Sequence, residues 1–231
     1  MRTASLAACI AAIAVSPAIA AERSYSLSSS DRIRVDGPFK VRLTTGVAPF
    51  ARASGSAAAI EGVSLNVQGR TLIVRSNPSS WGGYPGKASG PVEVAVGTHE
   101  LSAAWLNGSG TLAITQVKGL SFDLAMQGPG SVAIGNASVD QLKIGISGSG
   151  SATLSGAAPK LTAIVRGAST LDAAALKVKD AVVGAEGPST VRLEVSNSAK
   201  IDARGTASVE VSGEPACTVK TEGSATISGC R

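Results

Sequence analysis

Seven copies of one phrase occupy the chain from about residue 101 to its end, and a repeat of this period leaves few folds open. A small-residue triplet anchors each copy: Gly108-Ser109-Gly110, Gly128-Pro129-Gly130, Gly148-Ser149-Gly150, Gly167-Ala168-Ser169, Gly187-Pro188-Ser189, Gly205-Thr206-Ala207 and Gly223-Ser224-Ala225. Successive first glycines lie 20, 20, 19, 20, 18 and 18 residues apart. Spacing this regular marks a repeat architecture, in which each unit is too small to bury its own apolar face and is covered by the next.

The residues around each anchor give the period within the unit. Four and six positions after the glycine stand Leu112 and Ile114, Val132 and Ile134, Ala152 and Leu154, Leu171 and Ala173, Val191 and Leu193, and Val209 and Val211. Four and two positions before it stand pairs such as Leu124 and Met126 or Ile144 and Ile146. Apolar residues at every second position are the strand period. The expected fold is all-β: a parallel β-helix, or solenoid, of about seven coils of 18–20 residues. Coils at roughly 4.8 Å spacing make a rod on the order of 30 Å long. The reading requires Leu112, Val132, Leu154, Val191 and Val209 to share one interior column. Residues 169–181, which read as helix in isolation, are assigned to strand by the repeat register.

Ahead of the repeats the chain is β-rich but irregular, and it reads as an N-terminal capping region. Residues 21–31, polar and Ser-rich, are expected as a loose arm, with residues 32–231 forming one domain. Ile33, Val35, Phe39, Val41 and Leu43 alternate with Arg32, Arg34, Lys40 and Arg42, an outward basic stripe read as a solvated face. Residues 57–60 suit a helical turn, and Gln68-Gly69 a tight turn. Residues 76–90 are rich in Gly and Pro and carry Trp81 and Tyr84. Those two rings either fold over an open edge of the core or bind a glycan or protein partner.

Residues 1–20 read as a signal peptide, with Arg2 at the start, an apolar run from Leu6 to Val15, and Ala18-Ile19-Ala20 as the cleavage site. An alternative takes Leu6-Ala7-Ala8-Cys9 as a lipoprotein box with a lipid anchor on Cys9. No later stretch is long and apolar enough to span a membrane as a helix. The protein is therefore expected to be exported to the periplasm, the cell surface or the medium. Without the leader, Cys217 and Cys230 remain, and in an oxidising compartment they suggest a disulfide pinning the final coil, against a reading as two free thiols. The same chain carries 20 basic and 16 acidic side chains, scattered along it. No basic run with interleaved aromatics marks a nucleic-acid groove.

One outward column is uniform in chemistry. Three positions after each anchor glycine stand Thr111, Ser131, Ser151, Thr170, Thr190, Ser208 and Thr226. Stacked hydroxyls form a ladder whose plain role is to support corner backbone groups and whose sharper role is a polar surface for glycans. Gly128-Pro129-Gly130-Ser131-Val132-Ala133 has the letters of a dinucleotide fingerprint, but it leads into a strand where phosphate binding needs a helix. His99 is the only histidine and has no nucleophile in a recognisable motif. Asp123, Asp140, Asp172, Glu194, Asp202 and Glu210 are expected not to share one column. Neither a catalytic set nor a metal or cofactor site is read.

The phrases Leu142-Lys-Ile-Gly-Ile-Ser-Gly-Ser-Gly-Ser151, Trp105-Leu-Asn-Gly-Ser-Gly110 and Val35-Asp-Gly-Pro-Phe-Lys-Val-Arg-Leu43 resemble the bacterial "head GIN domain" family, labelled "putative autotransporter adhesin". The resemblance covers roughly residues 32–229 and implies a β-helical cell-envelope domain, with adhesion by analogy. No series of alternating barrel strands follows the repeats, so self-translocation is not expected. The function expected is a noncatalytic adhesion or surface-binding module whose partner is a surface glycan or an envelope protein. A polysaccharide-binding or polysaccharide-degrading β-helix, or a passive envelope structural protein, is the alternative.

Overall fold

Inward aliphatics alternating with outward polar residues hold the backbone extended, and strand dominates the computed structural model, which describes residues 21–77 and 90–230. The elements ahead of the repeats are β1 (Ala21–Tyr25), β2 (Arg32–Asp36), β3 (Lys40–Thr45), β4 (Phe50–Gly55), α1 (Ala57–Glu61), β5 (Val63–Gln68), β6 (Thr71–Ser76) and β7 (Glu93–Thr98). The repeats give β8 (Ala103–Asn107), β9 (Thr111–Ile114), β10 (Val117–Gly128), β11 (Ser131–Gly148), β12 (Ser151–Ala157), β13 (Lys160–Gly167), β14 (Thr170–Glu186) and β15 (Thr190–Gly205). They close with β16 (Ser208–Ser212), β17 (Ala216–Gly223) and β18 (Thr226–Ser228).

Every pairing among β8–β18 is parallel, which makes a β-solenoid of about six turns. About seven coils were expected from seven anchors, and the difference is one of counting ends, because seven corners bound six complete turns. Strands entering the corners form a first face, on which β8, β10, the second half of β11, β13 and the second half of β14 follow one another. Strands leaving them form a second face, built from β9, the first half of β11, β12, the first half of β14, and onward to β16 and β18. The long strands β11, β14 and β15 run from the second face round a short third side to the first.

The interior is one continuous core. Leu112, Val132, Ala152, Leu171, Val191 and Val209 occupy one inward column. Leu154, expected in that column, stands in the neighbouring inward column opposite Ile134, two residues along the strand. On the first face the column Phe122, Leu142, Leu161, Ala181, Ala199 and Cys217 loses volume toward the C-terminus. The anchor spacings around these six residues are 20, 20, 19, 20, 18 and 18, so the 18-residue turns hold only the small Ala199 and Cys217 at this position. Close packing requires such matching of perimeter to content.

The corners need glycine for a reason particular to each position. The first glycine of every anchor has a left-handed φ: 102°, 101° and 114° at Gly108, Gly128 and Gly148, and 74–82° at Gly167, Gly187, Gly205 and Gly223. The larger values occur where the third anchor residue is glycine, and the smaller where serine or alanine supplies a buried Cβ (Ser169, Ser189, Ala207) or, at the last corner, a partly buried one (Ala225). At Gly148 a Cβ would lie 3.0 Å from the Gly128 nitrogen and 3.2 Å from its Cα. Three residues earlier, Gly145 is in ordinary strand backbone and a Cβ there meets nothing within 4 Å. Gly148→Ala is therefore expected to cost about 1–3 kcal/mol. Gly145→Ala should be neutral or stabilising by up to about 1 kcal/mol. Urea titrations of the two variants check this, and equal losses would remove the backbone argument.

The N-terminal segment belongs to the solenoid but out of chain order, which corrects its reading as an irregular cap. β2 lies parallel between β6 and β8, with Ile33 opposite Leu72 and Ala104, and Val35 opposite Val74 and Leu106. β3 lies parallel between β7 and β9, with Val41 opposite Val94 and Leu112. The levels thus run β6–β7, then β2–β3, then β8–β9. The cap itself is antiparallel: β5 on β6, β4 on β7, and β1 on β4. Residues 21–25, expected within a loose arm, are therefore strand, because β4 offers them an unpaired edge. The helical turn forms as α1, with Ser56 accepting from the Ala59 amide at 3.2 Å and Ala59 and Ile60 buried. A polar clip locks the inserted level. Asp31, 11% exposed at its side chain, receives Arg70 Nε at 3.0 Å, Arg70 Nη2 at 2.8 Å and Ser102 Oγ at 3.1 Å.

Candidate functional site

Parallel in-register strands carry each outward side chain directly above its counterpart, so surface chemistry runs in columns along the axis. On the second face Thr111, Ser131, Ser151, Thr170, Thr190, Ser208 and Thr226 do stack in unbroken register. Their backbone amides, and not their hydroxyls, satisfy the corner carbonyls. Ser131 N donates to Gly110 O at 3.0 Å, Ser151 N to Gly130 O at 3.1 Å, and Thr190 N to Ser169 O at 3.0 Å. The ladder's hydroxyls are left to solvent. Beside them runs a mixed column in which Asp172, Arg192 and Glu210 are successive partners. Asp172 and Glu210 share this column, held apart by the intervening Arg192, whose Nε lies 3.4 Å from Glu210, while Asp123, Glu194 and Asp202 stand in other columns, so the acidic residues do not converge.

The first face carries a different surface. An open groove of about 460 Å³ crosses it at the N-terminal end, between side chains of β5, β6, β2, β8 and β10. Trp105 of β8 stands in it, half-buried at an outward strand position, with Arg34 one level below and Ala125 one level above. Asn107 and Gln127 line one side and Gln68 and Thr71 the other. Asp36 organises the polar rim: Arg34 Nε donates to its Oδ1 at 2.9 Å and Asn107 Nδ2 to the same oxygen at 2.6 Å. Trp105 appeared in the sequence only as a letter of a repeat phrase. Its odd offset from Gly108 was the available sign that it faces outward.

Farther along the first face, charges alternate. Arg166 meets Glu186 at 3.0 Å, and Arg204 meets Glu222 at 3.5 Å. The bidentate hydrogen bonds of Asp202 raise Arg204 above the ordinary arginine value. Ser198 and Asn197 both donate to Asp180 and hold its carboxyl below the ordinary aspartate value. The N-terminal basic stripe is compensated as well, since Lys40 and Arg42 both pair with Glu93 and Arg34 with Asp36.

Cys217 and Cys230 form a disulfide, with Cα atoms 5.6 Å apart. His99 is exposed beyond the end of β7. Gly128-Pro129-Gly130 leads into β11, so the fingerprint letters do not precede a helix. Trp81 and Tyr84, Cys9 and the whole leader lie outside the described residues. Among the described residues, no three His, Cys, Asp or Glu side chains are grouped to hold a metal, and no helix is long and apolar enough to cross a membrane.

A sequence model described as "Putative auto-transporter adhesin, head GIN domain" matches residues 30–215. No curated protein matches the chain. Among solved structures, a "putative adhesin" of Bacteroides fragilis is similar with a TM-score of 0.81 at 16% identity, covering 91% of this chain and 96% of that one. A "putative lipid binding protein" of Parabacteroides distasonis gives 0.72 at 17%, covering 93% and 98%. A "putative adhesin" of Parabacteroides merdae gives 0.68 at 14%, again over 93% and 98%. At such identities the likeness establishes a shared fold.

Proposed function

From the premise that this chain belongs to the head GIN domain family, we propose that it is an exported, noncatalytic envelope module that holds a surface partner against a rigid β face. The observation that carries the reading is the parallel register of the outward columns, unbroken on the two faces, with the register shifts confined to the turn between them. Such register fixes side chains at roughly 4.8 Å intervals along the axis. Among the described residues, the ladder hydroxyls and the Gln68 and Gln127 amides of the groove make no side-chain hydrogen bond, so they are available to a partner without rearrangement. Preorganised surfaces of this kind lose little entropy on binding.

Residues 1–20 act in this reading as the export signal and residues 32–231 as a single envelope domain. The Cys217–Cys230 bond suits an oxidising compartment. Adhesion follows the names given to the family and to two of the similar structures. Purified protein is expected to bind isolated envelopes or intact cells saturably and to release no reducing ends from polysaccharides. Linear, unsaturable adsorption, or turnover of any polysaccharide, would overturn the proposal.

A further inference from the structure

We propose that the groove around Trp105 binds a neutral oligosaccharide. This rests on the surface-binding reading above and gives it a place and a ligand class. Aromatic residues make up 3% of the sequence, and one of its two tryptophans stands outward on a strand within the groove. An indole presents an apolar face with a polar edge. That combination suits the C–H face of a pyranose ring, which is apolar between its rim hydroxyls.

The rim supplies the complementary chemistry. Carboxamides carry donors and an acceptor together, which matches vicinal hydroxyls. Gln68 and Gln127 make no side-chain hydrogen bond within the described residues, and both line the groove. Asn107 gives Nδ2 to Asp36, which fixes its amide and leaves Oδ1 unengaged. The groove spans the levels of β6, β2, β8 and β10. Three strand spacings amount to roughly 14 Å along the axis, room for several sugar rings in line. Above Trp105 the column continues as Ala125 and Gly145 before Ile164, so nothing bulky stands over the two levels next to the indole.

Charge selects among ligands. The Arg34 guanidinium is compensated by Asp36 at 2.9 Å, so the groove lacks the surplus positive field that favours uronic, sulfated or phosphorylated chains. Acyl chains call for an enclosed apolar pocket, and this groove is open and rimmed by amides.

The test uses the purified exported protein carrying Trp81→Phe, which leaves Trp105 as its sole tryptophan. Cellohexaose, maltohexaose, mannohexaose and chitohexaose are titrated against indole emission, with calorimetry in parallel. At least one is expected to change Trp105 emission saturably. Trp105→Ala should weaken binding roughly tenfold or more, as loss of a central aromatic anchor does, and Trp105→Tyr should restore most of it. Gln127→Ala should weaken binding several-fold at an unchanged unfolding midpoint, since that side chain makes no hydrogen bond among the described residues. Unchanged affinity in Trp105→Ala overturns the site, and binding restricted to uronic or sulfated oligosaccharides, or to anionic vesicles, overturns the ligand class. A protein that adheres to envelopes but binds none of the four sugars overturns this inference and leaves the broader reading standing. Absence of adherence in the unaltered protein overturns both.

Discussion

Phe122→Ala is expected to cost about 3–5 kcal/mol, the largest single loss available in this core. Phe122 is fully buried and heads the column that shrinks through Leu142 and Leu161 to Ala181 and Ala199. It stands at the wide end, where turns are 20 residues long and the perimeter is set by backbone hydrogen bonds on both sides. Those ladders resist collapse, so a cavity there should stay open and its cost remain near the upper part of the range. The same column makes the opposite prediction at its narrow end, because Ala199 lies in an 18-residue turn and is buried. Ala199→Leu should be destabilising by about 1–3 kcal/mol through overpacking. Urea unfolding followed by far-ultraviolet circular dichroism measures both. A loss under about 1 kcal/mol for Phe122→Ala would mean that the turns deform to fit their contents and that the taper is incidental.

The repeats were legible because everything that specifies them is local. A glycine, two inward aliphatics before it and two after it recur within each unit, and stacking needs no information from elsewhere in the chain. The level formed by β2 and β3 carries the same formula: Ile33 and Val35 precede Gly37 by four and two residues, and Val41 and Leu43 follow it by four and six. Gly37 even shares the left-handed φ, at 124°. That copy went unread because its neighbours in space are remote in sequence, Leu72 on one side and Ala104 on the other. A constant period could not point to them. The antiparallel edge formed by β1 was hidden for a different reason. Ala-Glu-Arg-Ser-Tyr has no inward apolar row, and it is strand because β4 presents an unpaired edge. The groove was invisible because its residues come from five strands, and only the out-of-order stacking brings Arg34 and Ile73 beside Trp105. The hydroxyl ladder, by contrast, was fixed in one step by the repeat itself, although the bonding of its amides needed the register.

Removing the disulfide is expected to melt the last turn and spare the rest. Among the described residues β17 pairs only with β15 and β18 only with β16, so the final coil is supported from one side. Its inward residues are correspondingly poorly covered, with Val219 45% exposed where Ile201 beneath it is buried. Nearest-neighbour stability in a solenoid makes such a terminal unit the first to open. Joining Cys217 to Cys230 at a sequence separation of 13 removes loop entropy from the open form, an effect of about 3 kcal/mol for a loop of this length. In a Cys217→Ser, Cys230→Ser variant, amide protection over residues 216–230 should therefore fall by on the order of 100-fold. Protection of Leu142 through Val191 should stay as it was. Opening would uncover Ile201, Ala203, Val209 and Val211 together with two unpaired parallel edges, which is a template for edge-to-edge association. The variant should accordingly form oligomers on concentration while the intact protein does not. Hydrogen exchange read by mass spectrometry decides between mechanisms. Protection unchanged in the last turn would show that packing alone holds it, and loss spread evenly over every coil would show that the domain opens as one unit and that the clasp stabilises the whole.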